Sequence, residues 1–259
     1  MKVFELHFNT KAKDDVFFDS FIYEPENAYE KRLGSLYVVG ELDKALPQNN
    51  HFLSNLASTL KKEYYSSVLA KSPEASLRGA LQKTNEFLDM TIQQGNVSWL
   101  GNLNVAVLNF KDNILNFAKA GKTKILLMRN EEILDIGPKL EEQSFGNSAK
   151  GKVSINDKVL ISTKNVFSDD FLAELAKISS EKELKEFLAT KKQILSEFSG
   201  ICLLLMVDSE ARELLKFSFA EKLPRFQLKI PRLAFPQKKI VLLTGLIFVL
   251  LLGFLIFKF

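Results

Sequence analysis

Few residues in this sequence have the types and spacing that catalysis or metal binding requires. It contains two histidines, His7 and His51, so a histidine-based metal site or a Ser–His–Asp triad has little to draw on. Adjacent acidic pairs at 14–15 and 131–132 lie in expected loops or turns, where solvent-facing carboxylates are a simpler interpretation than a general acid–base couple. There is no Gly-rich phosphate-binding loop. The residues by themselves therefore indicate no active site.

The pattern of elements indicates one folded domain over residues 1–221, because no linker or repeat interrupts it. Strands are expected at Val3–Phe8, Phe17–Tyr23, Ser35–Val39, Leu103–Phe110, Ile114–Ala118, Lys124–Arg129, Ile133–Ile136, Val159–Ser162, Ile201–Val207 and Glu213–Phe219, the last two as a hairpin. Helices are expected at Phe52–Tyr65, after the cap Ser72, after Ser168, and from Ser180 through Leu195. This order predicts an α+β fold with two antiparallel β-sheets sandwiched between helices.

A transmembrane helix is predicted at the C-terminal end of the chain. Of the eighteen residues 240–257, fifteen are Ile, Leu, Val or Phe, and none is charged. Their helix would be about 27 Å long, close to the hydrocarbon thickness of a bilayer. Insertion would gain at most roughly 5–9 kcal/mol. The sequence ends two residues later, so we expect a tail-anchored arrangement with insertion after synthesis.

The basic residues are concentrated beside this span. The segment 222–239 is expected to be an extended stem, because Pro224, Pro231 and Pro236 break helices. Six basic residues of the stem are candidates for contact with the membrane surface: Lys222, Arg225, Lys229, Arg232, Lys238 and Lys239. A simple solvated linker is the alternative interpretation. The bias towards Lys and Arg predicts that residues 1–221 lie on the cytoplasmic side.

Charge and cysteine content exclude other classes. The chain carries +4, but residues 1–221 carry −3, from 28 basic and 31 acidic residues. A mildly acidic domain without a basic face argues against nucleic-acid binding. The single cysteine, Cys202, excludes an internal disulfide and is interpreted as a buried structural thiol, since it lies in an apolar run.

Several spaced segments of residues 1–220 resemble the metal-dependent protein serine/threonine phosphatases of type 2C, the PPM family. The segments, in chain order, are Leu36-Tyr37-Val38-Val39-Gly40-Glu41, Gly101-Asn102-Leu103-Asn104-Val105-Ala106-Val107, residues 116–129 (NFAKAGKTKILLMR), residues 157–166 (DKVLISTKNV) and Ser199-Gly200-Ile201-Cys202-Leu203. They are similar to the strand before Asp-Gly-x-Gly-Gly, the Gly-Thr-Thr strand, the Gly-Asp-Ser segment, the strand ending in Ser/Thr-Asp-Gly, and the closing Asp-Asn strand. The resemblance implies the same sandwich fold.

The resemblance also implies where the family's site residues would fall. Catalysis in that family uses two divalent cations, Mg²⁺ or Mn²⁺, held by carboxylates and water. The resemblance implies that an early Asp corresponds to Asp19 and the turn Asp to Glu41, so these two are the candidates for metal ligands. The remaining positions depart from the pattern: the turn Gly becomes Leu42, the Asp of Gly-Asp-Ser becomes Lys122, the Asp of Ser/Thr-Asp-Gly becomes Lys164, and the final Asp becomes Ser199.

These departures predict a module that has lost its metals. Replacing Asp by Lys at a ligand position turns attraction for a dication into repulsion, on the order of several kcal/mol at about 4 Å. The prediction is therefore an inactive phosphatase-like module without a catalytic residue or cofactor, which binds a protein partner such as a phosphoprotein at the cytoplasmic face. Three alternatives stay open: an active or residual phosphatase using Asp19, Glu41 and Mg²⁺ or Mn²⁺; a phosphate-binding pocket made by Lys122 and Lys164; and a structural membrane scaffold.

Overall fold

The computed structural model describes residues 1–9, 15–66, 72–137, 144–163, 167–208 and 213–219, all within the compact unit Met1–Glu221. Its strands are Lys2–Phe8 (β1), Phe17–Tyr23 (β2), Ser35–Leu42 (β3), Leu103–Lys111 (β4), Ile114–Ala120 (β5), Lys124–Arg129 (β6), Glu132–Asp135 (β7), Ala149–Lys152 (β8), Lys158–Ser162 (β9), Gly200–Met206 (β10) and Glu213–Phe219 (β11). Its helices are Glu30–Leu33 (α1), Phe52–Ser66 (α2), Pro73–Gln93 (α3), Asp169–Lys177 (α4), Glu181–Thr190 (α5) and Lys192–Glu197 (α6), with a 3₁₀ turn at Pro47–Asn49.

The strands form two stacked sheets. Sheet A has the order β11-β1-β10-β9-β6-β7, and sheet B has the order β2-β3-β4-β5-β8. Neighbouring strands are antiparallel, with the exception of β1 and β11, which run parallel with Lys2 opposite Glu213. The predicted sandwich of two sheets between helices is confirmed, and its antiparallel character holds everywhere but at this one pair.

Alternation of side chains along each strand builds three apolar layers. On β1, Phe4 and Leu6 face helices α4, α5 and α6, whereas Val3 faces the other sheet. On β3, Tyr37 and Val39 point between the sheets, whereas Val38 packs against α2 and α3. Because successive strand residues point to opposite faces, sheets covered on both sides read as nearly continuous apolar runs.

The long helix α3 illustrates how local sequence sets an element. Ser72 is its N-cap, with its Oγ accepting a hydrogen bond from the N–H of Ala75 at 3.2 Å. Pro73 occupies the first helical position, where its missing N–H costs nothing. Leu77 and Leu81 lie one turn apart on the buried face. The predicted cap and face are both confirmed.

Three sequence predictions need correction. The last two strands are not a hairpin, because β1 lies between β10 and β11 and pairs with both. The helix predicted from Ser180 through Leu195 is two helices, α5 and α6, which meet at Lys191. Strand β8, with Gly at its centre and exposed lysines, was not predicted because it lacks the apolar alternation that marks a strand.

The remaining predictions concern Cys202 on β10 and the C-terminal segment of the chain. Cys202 is fully buried, and burial raises the pKa of its thiol, as expected for a structural cysteine. The stem 222–239 and the span 240–257 lie outside the described residues. In the part of the chain that is described, no helix is both long and apolar enough to cross a bilayer.

A three-residue turn at 121–123 carries the chain from β5 in sheet B to β6 in sheet A. Gly121 has φ +74°, and a Cβ placed there would lie 2.4 Å from the carbonyl oxygen of Leu103 and 2.5 Å from Oδ1 of Asn104. The Lys122 N–H donates to that same Oδ1 at 2.8 Å. The crossing between sheets therefore requires both a left-handed residue and the absence of a side chain.

We expect Gly121→Ala to lower the free energy of unfolding by about 3 kcal/mol, because left-handed strain and steric overlap act together. Gly101→Ala is the matched control, since Gly101 has φ +71° but nothing within 4 Å of its missing Cβ. It should cost about 1 kcal/mol. Urea unfolding followed by circular dichroism measures both. Equal losses in the two variants would contradict the close packing of this turn.

Candidate functional site

The candidate site is at the end of the sandwich where the turn at 121–123 joins the two sheets. In sheet A the register brings Phe8, Gly200, Ser162 and Lys124 to one edge. In sheet B the corresponding edge holds the start of β2, the end of β3, the start of β4 and the end of β5. The short turn at 121–123 joins the two edges. The sequence-predicted positions 41, 122 and 199 therefore meet at one end of the fold.

The two candidate carboxylates, Asp19 and Glu41, lie on opposite faces of sheet B. Glu41 stands opposite Phe18, shares a face with Val39 between the sheets, and is 2% exposed. Asp19 stands opposite Gly40, whose missing Cβ would lie 3.0 Å from the side chain of Leu53 on α2. Burial raises the pKa of the Asp19 carboxyl. Because directly opposed residues share a face, this pairing separates Asp19 from Glu41.

Where the resemblance expects the glycine turn of the phosphatase family, this chain has Leu42 instead of glycine. Leu42 continues β3, opposite Leu103, and its side chain is buried against α2 and α3. The reversal comes two residues later, where Lys44 adopts φ +48°. Backbone bonds from the Asp43 N–H to the Asn102 carbonyl (3.0 Å) and from Ala45 to Asp15 (2.7 Å) hold the loop. A sharp turn is therefore made with a lysine in the left-handed region.

Asn104 is the residue that organises this end and that the sequence did not single out. It lies directly opposite Glu41 on β4 and is buried. Its Oδ1 accepts the Lys122 N–H, as described above, while its Nδ2 donates to the Asn102 carbonyl at 3.4 Å. The Lys122 side chain itself is exposed. Lys122 thus contributes its backbone to the fold and a solvated ammonium to the surface.

The last two candidate positions bring no carboxylate. Ser199 immediately precedes β10, and its buried Oγ has no hydrogen-bond partner among the described residues. Lys164 lies outside the described residues. That Lys122 and Lys164 form a phosphate-binding pair therefore stays a hypothesis, because the position of Lys164 is not described.

The donor set at this end does not fit a divalent metal pair. Mg²⁺ and Mn²⁺ need several oxygen ligands, with carboxylates offsetting the charge. Glu41 points between the sheets, Asp19 points towards α2, and Ser199 offers a neutral hydroxyl. Within the described ranges no group of three or more His, Cys, Asp or Glu side chains is arranged to hold an ion.

A second polar cluster lies between the sheets at the edge formed by β2 and β11. Oε1 of Glu5 accepts hydrogen bonds from Ser20 Oγ (2.6 Å), His7 Nε2 (2.7 Å) and Lys216 Nζ (3.2 Å). Burial would raise the pKa of Glu5, but these donors outweigh it and lower the pKa to about 2. The ionised carboxylate can only accept, so Nε2 of His7 carries the proton. Ser20 and His7 both bond to Glu5 rather than to each other, so they do not form a nucleophilic triad.

This cluster had a sequence signal that was missed. Glu5 and His7 are two residues apart on β1, and strand alternation places both on the face of Val3, between the sheets. Their polar types on an inward face already required partners from the facing strand.

A third polar contact fixes the opposite end of the sandwich. Nε and Nη2 of Arg129 donate to the two carboxylate oxygens of Asp157 at 3.0 and 2.6 Å, and the Ser154 N–H donates to Asp157 at 2.7 Å. Burial would raise the pKa of Asp157, yet these bonds lower it. Both residues belong to the segments that resemble the phosphatase family, and here they have a structural role.

Comparison with known proteins identifies the fold. No protein-family model matches the sequence, and no curated protein matches it. Solved structures do match. PppA, "a key regulatory component of T6SS in Pseudomonas aeruginosa", is 14% identical with a TM-score of 0.50, over 77% of this chain and 97% of that one.

Two further domains align equally well. The SiaA PP2C domain of Pseudomonas aeruginosa is 14% identical with a TM-score of 0.54, over 80% of this chain and 86% of that one. The PP2C phosphatase domain of the cell fate determinant SpoIIE from Bacillus subtilis, with a fragment of its regulatory domain, is also 14% identical, with a TM-score of 0.50 over 80% of this chain and 61% of that one. The chain therefore has the fold of type 2C phosphatase domains.

Because of the Glu5 cluster, we expect the free energy of unfolding to depend on pH in the acid range. The carboxyl has a pKa of about 2 when folded against an ordinary 4.5, so its stabilisation is complete above about pH 4.5 and is lost as the pH falls towards 2. The expected loss is up to about 3 kcal/mol. Glu5→Gln should flatten this part of the curve of unfolding free energy against pH. Glu26→Gln, whose carboxylate is 77% exposed, is the control, and an unchanged slope in Glu5→Gln would refute the assignment.

Proposed function

We propose that this chain is a catalytically inactive type 2C phosphatase-like module that is anchored to a membrane and acts by binding at the cytoplasmic face. Its partner would be a protein, and a phosphoprotein suits the ancestry of the fold. Fold alone does not fix activity. The proposal therefore depends on the residues at the candidate site.

One observation carries the proposal of inactivity: the β2–β3 register places Asp19 and Glu41 on opposite faces of sheet B. Two carboxylates so placed cannot share an ion without breaking the strand pairing. Lys122, which is exposed, and Ser199, which offers a hydroxyl, add no negative charge that could hold a metal ion at this end. Glu5, the other inward carboxylate of this region, already accepts three donors.

The structural neighbours support a regulatory role as a further part of the proposal. PppA is described as a regulatory component, and the SpoIIE structure includes part of a regulatory domain. The alternative of a membrane scaffold with an accidental family resemblance is weakened, since a structure without two stacked antiparallel sheets would have favoured it. The residual phosphatase stays the competing hypothesis, because Glu41 is still a buried carboxylate at the expected position.

The full-length chain should hydrolyse neither p-nitrophenyl phosphate nor a phosphothreonine peptide above background in the presence of Mn²⁺ or Mg²⁺. Calorimetric titration with Mn²⁺ should show no saturable binding below about 1 mM, because no set of carboxylates offsets its charge. Glu41→Gln and Asp19→Asn serve as matched variants. Metal-dependent turnover that Glu41→Gln abolishes would overturn inactivity and favour the residual phosphatase.

Membrane anchoring is tested by co-flotation with liposomes. The full-length chain should float with vesicles, whereas residues 1–221 should stay at the bottom of the gradient, because the proposed span supplies the binding energy. Replacing the six stem residues Lys222, Arg225, Lys229, Arg232, Lys238 and Lys239 by Gln should reduce only the preference for anionic vesicles. Equal flotation of residues 1–221 would contradict the anchor.

A further inference from the structure

The two histidines of the chain have very different surroundings. The ring of His7 lies at the edge of the sandwich formed by β2 and β11, where its Nε2 donates to Oε1 of Glu5 at 2.7 Å. The side chain of His7 is 20% exposed, and that of Glu5 is 8% exposed. His51 is exposed, and its ring pairs with no carboxylate among the described residues. Of the two rings, that of His7 is the one whose nitrogens the fold makes different from each other.

The bond to Glu5 leaves the second nitrogen of His7 available for chemistry. Because Nε2 carries the proton, the lone pair of the neutral ring is on Nδ1. Nδ1 has no hydrogen-bond partner among the described residues and, unlike Oγ of Ser199, it is not shielded from solvent. An imidazole that has one nitrogen held by a carboxylate and the other open can act as a metal ligand or as a nucleophile.

A nucleophilic role suits the surroundings of His7 better than a metal site does. Within the described ranges no group of three or more His, Cys, Asp or Glu side chains is arranged to hold an ion. Attack by Nδ1 on an electrophile needs no further ligand, but it places a positive charge on the ring. The carboxyl of Glu5 has a pKa of about 2 and is therefore ionised at neutral pH. Its negative charge lies 2.7 Å from the nitrogen that shares the new positive charge.

The charges around the ring decide which electrophile can approach. Nζ of Lys216 donates to the same Glu5 oxygen at 3.2 Å, and the Lys216 side chain is 61% exposed. Its ammonium therefore lies near the imidazole and can attract an anion. Asp19 opposes this attraction, since its carboxylate interacts electrostatically with His7, Glu5 and Lys216. With two carboxylates and one ammonium in place, an electrophile with a single negative charge is repelled less than one with two.

We propose that His7 is a phosphorylation site, at which Nδ1 takes the phosphoryl group of a small, singly charged donor of the phosphoramidate class. The lone pair of Nδ1 attacks phosphorus and forms an N–P bond. The P–N bond of the donor, whose nitrogen is protonated, breaks, and its electron pair leaves on ammonia. The proton on Nε2 stays in place, so the product is a phosphoryl imidazolium. Glu5 is a positioning residue that fixes the tautomer and balances the charge of this product.

The test is labelling of the full-length chain with potassium phosphoramidate, in nonionic detergent at pH 8. Tandem mass spectrometry with electron-transfer fragmentation identifies the modified residue, and phosphorus NMR distinguishes Nδ1-phosphohistidine from Nε2-phosphohistidine. His7 should be phosphorylated about tenfold faster than His51, because a charge-assisted hydrogen bond strengthens as the ring becomes positive. The label on His7 should be on Nδ1. His51 is the matched control, because it is the more exposed ring but has no carboxylate partner among the described residues.

Two variants separate the role of Glu5 from that of His7. His7→Gln should remove the label from this position and leave the label on His51. Glu5→Gln has a similar shape but no charge, so the rate at His7 should fall about tenfold while the rate at His51 is unchanged. The amide can also donate to Nε2, which frees Nδ1 from being the only nitrogen with a lone pair. The Nε2 isomer should therefore appear in this variant.

Circular dichroism at pH 8 checks that each variant is folded. If Glu5→Gln is not folded, the ratio of rates and the isomer found in the wild type still decide. Absence of label on His7, labelling of His7 no faster than that of His51, or labelling of His7 at Nε2 in the wild type would each overturn the proposal. An unchanged rate and isomer in folded Glu5→Gln would overturn the positioning role of Glu5 and with it the proposal.

Discussion

The crossing at Gly121 is the constraint on which the rest of the candidate site depends. The chain passes from β5 in sheet B to β6 in sheet A in three residues, close against the backbone of β4. Asn104 secures that passage by accepting the Lys122 N–H. With this turn in place, positions 41, 122 and 199 lie at the same end of the sandwich. Their proximity is a consequence of how the two sheets stack.

In the segments that resemble type 2C phosphatases, some residues have a clear structural role. Gly121 is required by its φ and its close contact with Leu103. Arg129 and Asp157 hold each other in a bidentate pair. At position 122 the fold needs only a backbone N–H, and the resemblance places a carboxylate of the family there and at Ser199. Packing and metal binding therefore impose separable demands on neighbouring residues.

Most of the fold could be predicted from the sequence, because apolar alternation and helix caps are local signals. The strand Phe17–Tyr23 and the cap at Ser72 are examples in which pattern and structure agree. The pairing of β11 could not be predicted, since nothing in Glu213–Phe219 distinguishes β1 from β10 as its neighbour. At the candidate site, the family resemblance pointed to Glu41 and Asp19 but could not reveal that Asp19 lies on the opposite face of sheet B, because this depends on strand register. Asn104 carried no signal until its partner, the Lys122 N–H, was in place.

The position of β1 in the middle of sheet A has a consequence for how the chain folds. Lys2 pairs with Met206 on one side and with Glu213 on the other, so β1 obtains both of its partners only after some two hundred further residues have been synthesised. Contacts this distant in sequence are slow to form, because loop closure must precede any gain from pairing. Until then Phe4, Leu6 and Phe8 lack the apolar residues that surround them in the folded domain. An apolar strand that waits for its partners is exposed to aggregation during that time.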